Sequence, residues 1–238
     1  MTSFDDHSRM FILKTILLND RLNYYNKYLQ LAQANAYKIL SLNDFFMLDD
    51  KRNGKHLILR HDVDVAGIST RKMFELERVV GIKSTYYFRF STIDLLLIHE
   101  MINAGFEVGL HYETISDYIR KNECTDKKQI NLEKMREHLL REVRAFEGII
   151  GCKTTSCCSH GTSENVKLGI SNNVLTEKQN MEDFGLKFEA YSSELYDEYI
   201  DCHIMDNEIL YNYGFSYSDT LVSVIDEKRP NIVFLTHP

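Results

Sequence analysis

The sequence has few of the residues that interrupt regular structure, with only two prolines and eleven glycines among 238 residues. That scarcity excludes a collagen-like or low-complexity chain. The five cysteines are an odd number and are not arranged as a secreted disulfide framework. The hydrophobic fraction of 44% and the charged fraction of 26% are ordinary for a globular chain. A chain of this length buries enough surface to fold without a disulfide or a structural metal.

An excess of positive charge is also lacking, because 28 basic residues face 35 acidic ones and the net charge is −7. With no basic face, a nucleic-acid partner is not expected. No apolar run approaches the roughly 20 residues of a membrane span. The stretch from Met10 to Leu18 is interrupted by Lys14 and does not have the pattern of a signal peptide. We therefore expect a cytoplasmic protein without a membrane span.

Short apolar runs alternate with segments that have helical hydrophobic spacing. Strands are predicted at 56–60, 84–90, 106–111, 154–159 and 232–236, and helices at 10–36, 68–80, 91–104 and 131–148. Ser91 is the expected cap of the third helix, and Gly81 is expected to end the second. This alternation predicts an α/β fold with a parallel sheet and one domain over residues 1–238. The polar, tyrosine-rich segment from Gly161 to Tyr217 has no clear pattern.

Histidines follow the ends of several predicted strands, where parallel α/β folds place their catalytic residues. Four of the nine histidines are in this position: His61, His111, His160 and His237. A single histidine after a strand is more often a structural or surface residue. Four in the same position favour a functional site.

Two carboxylates, Asp62 and Asp64, follow the first of these strands. Residues two apart on a strand share a face, so the two charges repel unless a cation lies between them. A divalent metal removes that conflict, and carboxylate and imidazole ligands suit zinc or manganese. The alternative is a solvated acidic turn before the helix that begins at Ile68.

Other charged residues flank the same strand ends. Arg60 and Arg89 are candidate substrate-binding residues, with surface ion pairs as the alternative. Glu113 lies two residues after His111, and it is a candidate to bind substrate, to orient a ligand histidine or to pair with an arginine.

Two adjacent cysteines, Cys157 and Cys158, lie within a predicted strand. At least one is expected to be a small buried hydrophobic residue. The rival interpretations are a zinc ligand and a cysteine nucleophile that acts with His160.

Five runs of sequence together resemble NodB-type polysaccharide deacetylases, the family-four carbohydrate esterases. They are LRHDVD at Leu59–Asp64, STYYFR at Ser84–Arg89, EVGLHYE at Glu107–Glu113, SHG at Ser159–Gly161 and the terminal THP. The similarity extends from about Tyr37 to Pro238, and it is greatest to a branch found in bacterial surface-polysaccharide biosynthesis. It implies a distorted (β/α) barrel of parallel strands with outer helices. Residues 1–50 would form a helical extension packed on that barrel.

The same resemblance implies roles for individual residues. By position in the family's motifs, Asp62 would be the base and Asp64 a metal ligand. His111 would be the first metal histidine, and His237 would be the general acid. The family's second metal histidine would stand at position 115, which is Ile115 here. We expect His160 to take its place from a neighbouring strand end. The family's arginine-proline motif is also absent.

The resemblance implies a metal-dependent sugar N-deacetylase, a hydrolase of carbon–nitrogen bonds other than peptide bonds. Its divalent metal would be zinc, with manganese or cobalt as alternatives. The expected substrate is an amino sugar linked to a nucleotide or a lipid. Two other functions stay open: hydrolysis or transfer at another carbon–nitrogen bond, and a non-catalytic barrel that binds a glycan.

Overall fold

The computed structural model describes residues 18–205 and 219–238. They fall into two compact units, one formed by residues up to 85 together with those from 199 onward, and the other by residues 86–198. The elements of the described residues are, in chain order, α1 Leu18–Ala34, β1 Lys38–Ser41, α2 Leu42–Phe46, β2 His56–Val63, α3 Ile68–Val80, β3 Thr85–Phe88, α4 Leu95–Asn103, β4 Glu107–Tyr112, α5 Thr114–Asn122, α6 Leu132–Ile150, β5 Ser156–Ser159, α7 Ser163–Leu168, β6 Phe188–Glu189, α8 Ser193–Tyr199, β7 Cys202–Met205, α9 Asp219–Asp226 and β8 Asn231–Thr236. The predicted α/β class is confirmed. The single-domain organisation stays a prediction.

The first unit contains four parallel strands in the order β1, β2, β8 and β7. In the central pair, Arg60 lies opposite Leu235, and Leu59 lies opposite Phe234. Opposed residues share a face of a sheet, and the face alternates along each strand. Arg60 and Asp62 therefore lie on one face, whereas Leu59 and Phe234 lie on the other.

The face that carries Leu59 and Phe234 is packed against helices. Its core cluster draws buried side chains from β2, β7, β8 and from α1, α3 and α9, including Tyr25, Leu29, Leu57, Met73, Ile204, Leu221, Ile225 and Ile232. Each such side chain gains about 1.5–3 kcal/mol when it leaves water. This gain explains why α1 and α3 carry apolar residues at three- and four-residue spacing.

A polar network is buried at the end of this helix-facing surface. Glu77 of α3 accepts hydrogen bonds from the Tyr25 hydroxyl at 2.5 Å, from Ser84 Oγ at 2.7 Å and from His61 Nε2 at 2.8 Å. His61 Nδ1 lies 2.6 Å from Thr236 Oγ1. Burial raises the pKa of Glu77, but the charge and hydrogen bond of His61 and the two hydroxyl donors outweigh it, so the net shift is downward. His61, one of the four strand-end histidines, therefore joins β2, β8 and α3.

The second unit carries strands in the order β3, β4, β5 and β6, with β5 parallel to both of its neighbours. Helix α6 buries the regularly spaced side chains Met135, Leu139, Val143 and Phe146. Gly109 of β4 lies where its neighbours leave no room for a side chain. A Cβ there would stand 2.6 Å from Tyr87 Cε1 and 2.7 Å from the Ser156 carbonyl oxygen.

Most predicted elements are present, with shifted ends. Strand β2 continues three residues beyond the predicted end at Arg60, because His61 and Asp62 find buried polar partners. The expected cap Ser91 is wrong: α4 begins later, and Asp94 caps it by accepting from the Leu97 N–H. Gly81 ends α3 at a φ of 78°, as expected.

Other differences lie where the sequence pattern was weak. Strand β1 lies inside the segment interpreted as a helical extension, and it pairs with β2. Strands β6 and β7 lie in the segment that could not be assigned. Residues 10–17 of the predicted first helix lie outside the described residues. Within the described ranges, none of the helices has the length and hydropathy needed to cross a membrane.

The close packing around Gly109 gives a prediction for stability. Gly109→Ala should lower the free energy of unfolding by about 1–3 kcal/mol, because the methyl group forces its neighbours apart. The matched control is Gly148→Ala on α6, where a Cβ meets nothing within 4 Å. That change should stabilise the protein by about 0.5–1 kcal/mol through helix propensity. Urea unfolding measures both, and equal effects of the two substitutions would contradict the packing argument.

The Glu77 network gives a pH-dependent prediction. A carboxylate whose folded pKa is lowered stabilises the fold above its ordinary pKa of 4.5, and this contribution is lost as the pH falls through the folded value. Glu77→Gln should therefore cost about 1–3 kcal/mol of unfolding free energy near pH 7, and less as the solution is acidified. The control Glu75→Gln, at an exposed position of α3, should cost less than about 0.5 kcal/mol. A cost of Glu77→Gln that does not change with pH would refute the role of its charge.

Candidate functional site

The predicted site residues lie at the carboxyl ends of strands in both units. In the first unit the structure pairs Arg60 with Asp62 and places His237 near Asp64. In the second unit it joins Arg89, Glu113, His160 and His111.

Asp62 is held by a buried arginine from its own strand. Arg60 donates from Nε to one carboxylate oxygen at 2.9 Å and from Nη2 to the other at 2.7 Å. Both side chains are almost completely buried, with exposed fractions of 0% and 3%. The two-residue spacing places them on the same face, so the strand itself sets this contact. Arg60 thus places a cation against the Asp62 carboxylate and fixes its orientation.

Asp64 has different surroundings from Asp62. It lies just after β2, where the Asp64 N–H donates to the carbonyl oxygen of Asp62 and turns the chain. Its side chain is 26% exposed, and Oδ2 lies 3.9 Å from His237 Nε2. The sequence predicted a cation beside these carboxylates, and the cation that contacts Asp62 is the guanidinium of Arg60.

His203 is a polar residue of this region that sequence reasoning did not identify. The pairing of His203 with Val233 in β8 places it on the face of the sheet that carries Arg60. Burial lowers the pKa of His203 to about 4, with a further lowering from the charge of Arg60 and a smaller opposing effect of Asp62. His203 is therefore neutral near pH 7. The alternation of Cys202 and Ile204 around it was the only signal of its strand.

In the second unit, Glu113 connects an arginine to a histidine. Arg89 donates to both of its carboxylate oxygens, at 2.8 and 2.9 Å. The same carboxylate accepts from His160 Nδ1 at 3.1 Å. Burial raises the pKa of Glu113, but the hydrogen bonds and charges of His160 and Arg89 outweigh it and lower the pKa to about 2. Glu113 therefore stays ionised and orients His160, one of the roles expected from the sequence.

His111 and His160 form a pair of oriented imidazoles. Their ring centroids are 4.9 Å apart, and each offers a ring nitrogen within 4.8 Å of the other's. His111 Nδ1 lies 3.1 Å from the carbonyl oxygen of Cys158. A carbonyl and a carboxylate only accept hydrogen bonds, so both Nδ1 atoms carry the proton. When the rings are neutral, Nε2 is then the nitrogen that carries the lone pair, and this is the form in which histidine binds metals.

These two imidazoles fit the metal that the resemblance implies. Zinc binds imidazole nitrogen and carboxylate oxygen, and the hydrogen-bonded Nδ1–H groups are the usual support of such ligands. Ile115, which stands where the family has its second metal histidine, is fully buried and offers no ligand atom.

The two adjacent cysteines are buried, as expected for small hydrophobic residues. Burial, together with the charge of Glu189, raises the pKa of the Cys157 thiol well above its ordinary value. A thiol that stays protonated is a poor nucleophile, so the geometry disfavours the cysteine mechanism for Cys157. The imidazole of His160 is instead engaged by Glu113.

Comparison with known proteins identifies the fold. No family model matches the sequence, and curated proteins give no match. The structure is similar to a CE4 esterase from Streptococcus mutans, with a TM-score of 0.53 and 15% identity over 86% of this chain and 81% of that one. It is also similar to a mutant of a CE4 family pseudoenzyme with restored enzymatic activity, whose wild type comes from Bacillus anthracis.

The match to the mutant pseudoenzyme has a TM-score of 0.50 and 16% identity over 78% of this chain. It spans 57% of that protein's length. The predicted fold, a (β/α) barrel of the polysaccharide deacetylase type with parallel strands and outer helices, is confirmed by these similarities. At such low identity they establish the fold alone.

The Arg60–Asp62 pair gives a prediction. Arg60→Met leaves a buried carboxylate without its cation and should cost about 3–5 kcal/mol of unfolding free energy near pH 7. Adding Asp62→Leu should recover much of the loss, because the unmatched charge is then removed. The control Arg120→Met breaks a pair with Asp117 in which both side chains are about half exposed, and it should cost less than about 1 kcal/mol. Chemical denaturation compares the four proteins, and no recovery in the double variant would refute the argument.

Proposed function

We propose that this protein is a metal-dependent sugar N-deacetylase. Its metal ligands would be Asp64, His111 and His160, with Asp62 as the base and His237 as the general acid. The observation that carries the proposal is the pair of imidazoles whose Nδ1–H groups are both bound by acceptors. One carboxylate and two imidazoles form a donor set suited to zinc, with manganese or cobalt as alternatives.

The chemistry divides between the ion and the side chains. When bound, the ion would lower the pKa of the attacking water and polarise the acetyl carbonyl. Asp62, oriented by Arg60, would accept the proton of that water. His237 would donate a proton to the departing amine, because an amide nitrogen leaves poorly without one.

The two arginines have separate parts in this proposal. Arg60 is completely buried, so we assign it to Asp62 and not to the substrate contact expected from the sequence. Arg89 and Glu113 are partly exposed, with fractions of 22% and 12%. Both can meet a sugar hydroxyl while their ion pair holds His160, and the substrate-binding assignment is kept for them.

A second candidate is a barrel that binds a glycan without hydrolysing it. Ile115 favours it, because a buried aliphatic side chain stands where the resemblance implies a metal histidine. One of the similar structures is described as a mutant pseudoenzyme whose activity was restored. Metal content decides between the two candidates, since stoichiometric zinc or manganese is expected only of the enzyme.

The substrate belongs to the same proposal. An amino sugar linked to a nucleotide or lipid, met in the cytoplasm during bacterial surface-polysaccharide synthesis, is the expected class. Elemental analysis of the purified protein, followed by a screen for acetate released from N-acetylated sugars, tests it. Release of formate from N-formyl substrates or of ammonia from ureides, with no acetate from the N-acetylated sugars, would indicate another carbon–nitrogen bond. Absence of both metal and product would support the glycan-binding alternative.

The two aspartates should respond differently to the same substitution. Asp64→Asn should lose both the metal and turnover, because the amide is a weak ligand. Asp62→Asn should keep the metal and lower kcat about 10²–10⁴-fold, since the amide cannot accept the proton. The control Asp183→Asn, at an exposed position, should change neither. Metal analysis beside acetate release measures these effects, and loss of metal in Asp62→Asn with retention in Asp64→Asn would reverse the assigned roles.

A further inference from the structure

Helix α5 begins with an unusual cap. Its N-cap residue, Glu113, makes no side-chain hydrogen bond to the helix, because its carboxylate is bound to Arg89 and His160. The first-turn N–H groups are satisfied by a residue far along the chain. Asn172 Oδ1 accepts from the Ile115 N–H at 2.7 Å and from the Ser116 N–H at 3.4 Å.

The other end of the same amide holds His160. Asn172 Nδ2 donates to the carbonyl oxygen of His160 at 2.6 Å, and it also lies within hydrogen-bond distance of Ser116 Oγ and Asn165 Oδ1. Asn172 is completely buried. A single side chain thus joins the backbone at His160 to the turn of α5 that contains Ile115.

The remaining polar groups of His160 are fixed to the same junction. Its N–H donates to the carbonyl oxygen of Tyr112 at 2.9 Å, and its Nδ1 is bound to Glu113. Three polar groups of His160 are therefore bound nearby. Residues of the β4–α5 junction bind its N–H and its Nδ1, and Asn172 binds its carbonyl oxygen. When the ring is neutral, Nε2 is the nitrogen whose lone pair would bind a metal.

We propose that Asn172 is a positioning residue, which fixes His160 against α5 so that its imidazole replaces the metal ligand missing at Ile115. The inference rests on the proposed function. A metal ligand must be held within about 0.5 Å of its productive place. His160 comes from the loop after β5, whereas the histidine that it would replace lies in the first turn of α5. For His160 to take that role, the loop and the first turn of α5 must be linked. The Asn172 amide supplies that link with one donor and one acceptor.

Cobalt binding to the full-length, metal-free protein tests the proposal. Co²⁺ is titrated by its visible absorption, whose band positions report the ligand set. Asn172→Ala should raise the Kd for Co²⁺ about 10–100-fold and shift the bands towards those of His160→Ala. The matched control is Asn231→Ala, which removes a completely buried amide of the first unit that binds His56, Lys51 and Tyr199, and not Asn172 or His160. It should leave both the Kd and the bands unchanged.

A double-mutant cycle separates positioning from general damage to the fold. In the His160→Ala background, Asn172→Ala should cause no further change in Kd, because the histidine through which it acts is gone. An equal loss in both backgrounds would overturn the proposal and make Asn172 a structural residue. An unchanged Kd and spectrum in Asn172→Ala would overturn it as well.

Folding is checked by thermal unfolding of each metal-free variant. If Asn172→Ala does not fold, Asn172→Asp replaces it, since a carboxylate keeps the acceptor for Ile115 but cannot donate to the His160 carbonyl. The same rise in Kd is expected. Failure of both variants to fold while Asn231→Ala folds would assign Asn172 to stability and refute the proposal. If the wild type binds no Co²⁺, the proposed function fails, and this inference fails with it.

Discussion

A carboxylate that leaves water must be matched by a cation or by hydrogen-bond donors, and this requirement governs the strand ends of the protein. Asp62 is matched by Arg60, and Glu77 by His61 and two hydroxyl groups. Glu113 is matched in the same way by Arg89 and His160. Each pairing fixes a side chain in one orientation. The partners that neutralise the buried carboxylates of Asp62 and Glu113 therefore also orient the side chains of the candidate site.

Successive side chains of β2 point to opposite faces, so the residues that stabilise the fold and those of the candidate site lie on different faces. Its helix-facing residues, such as Leu59 and His61, belong to the apolar core or to the Glu77 network. Its other face carries Arg60 and Asp62. Because the strand is buried along its whole length, a polar residue on either face has to find a partner inside the protein. A histidine and an aspartate that are adjacent in sequence therefore have unrelated roles.

The two histidines of the proposed metal site are fixed by different kinds of contact. His111 is fixed by a carbonyl of the neighbouring strand, and this contact depends only on the pairing of β4 with β5. His160 depends on more distant contacts, with Glu113 and with Asn172. Our proposals for the metal site and for Asn172 both follow from that difference.

The sequence by itself determined the α/β class, the strands that end in polar residues and the resemblance to the deacetylases, because hydrophobic periodicity and short motifs are local signals. Only the tertiary structure decided which partner each polar residue has. Arg60 pairs with Asp62 because the strand is buried, whereas His61 turns to Glu77. His203 and Asn172 lay in a segment without periodicity. His203 pairs with Val233, which is 30 residues away in the chain. Asn172 binds His160, Ser116 and Ile115, which are 12, 56 and 57 residues away. Such contacts are set by packing between distant segments, which leaves no local pattern in the sequence.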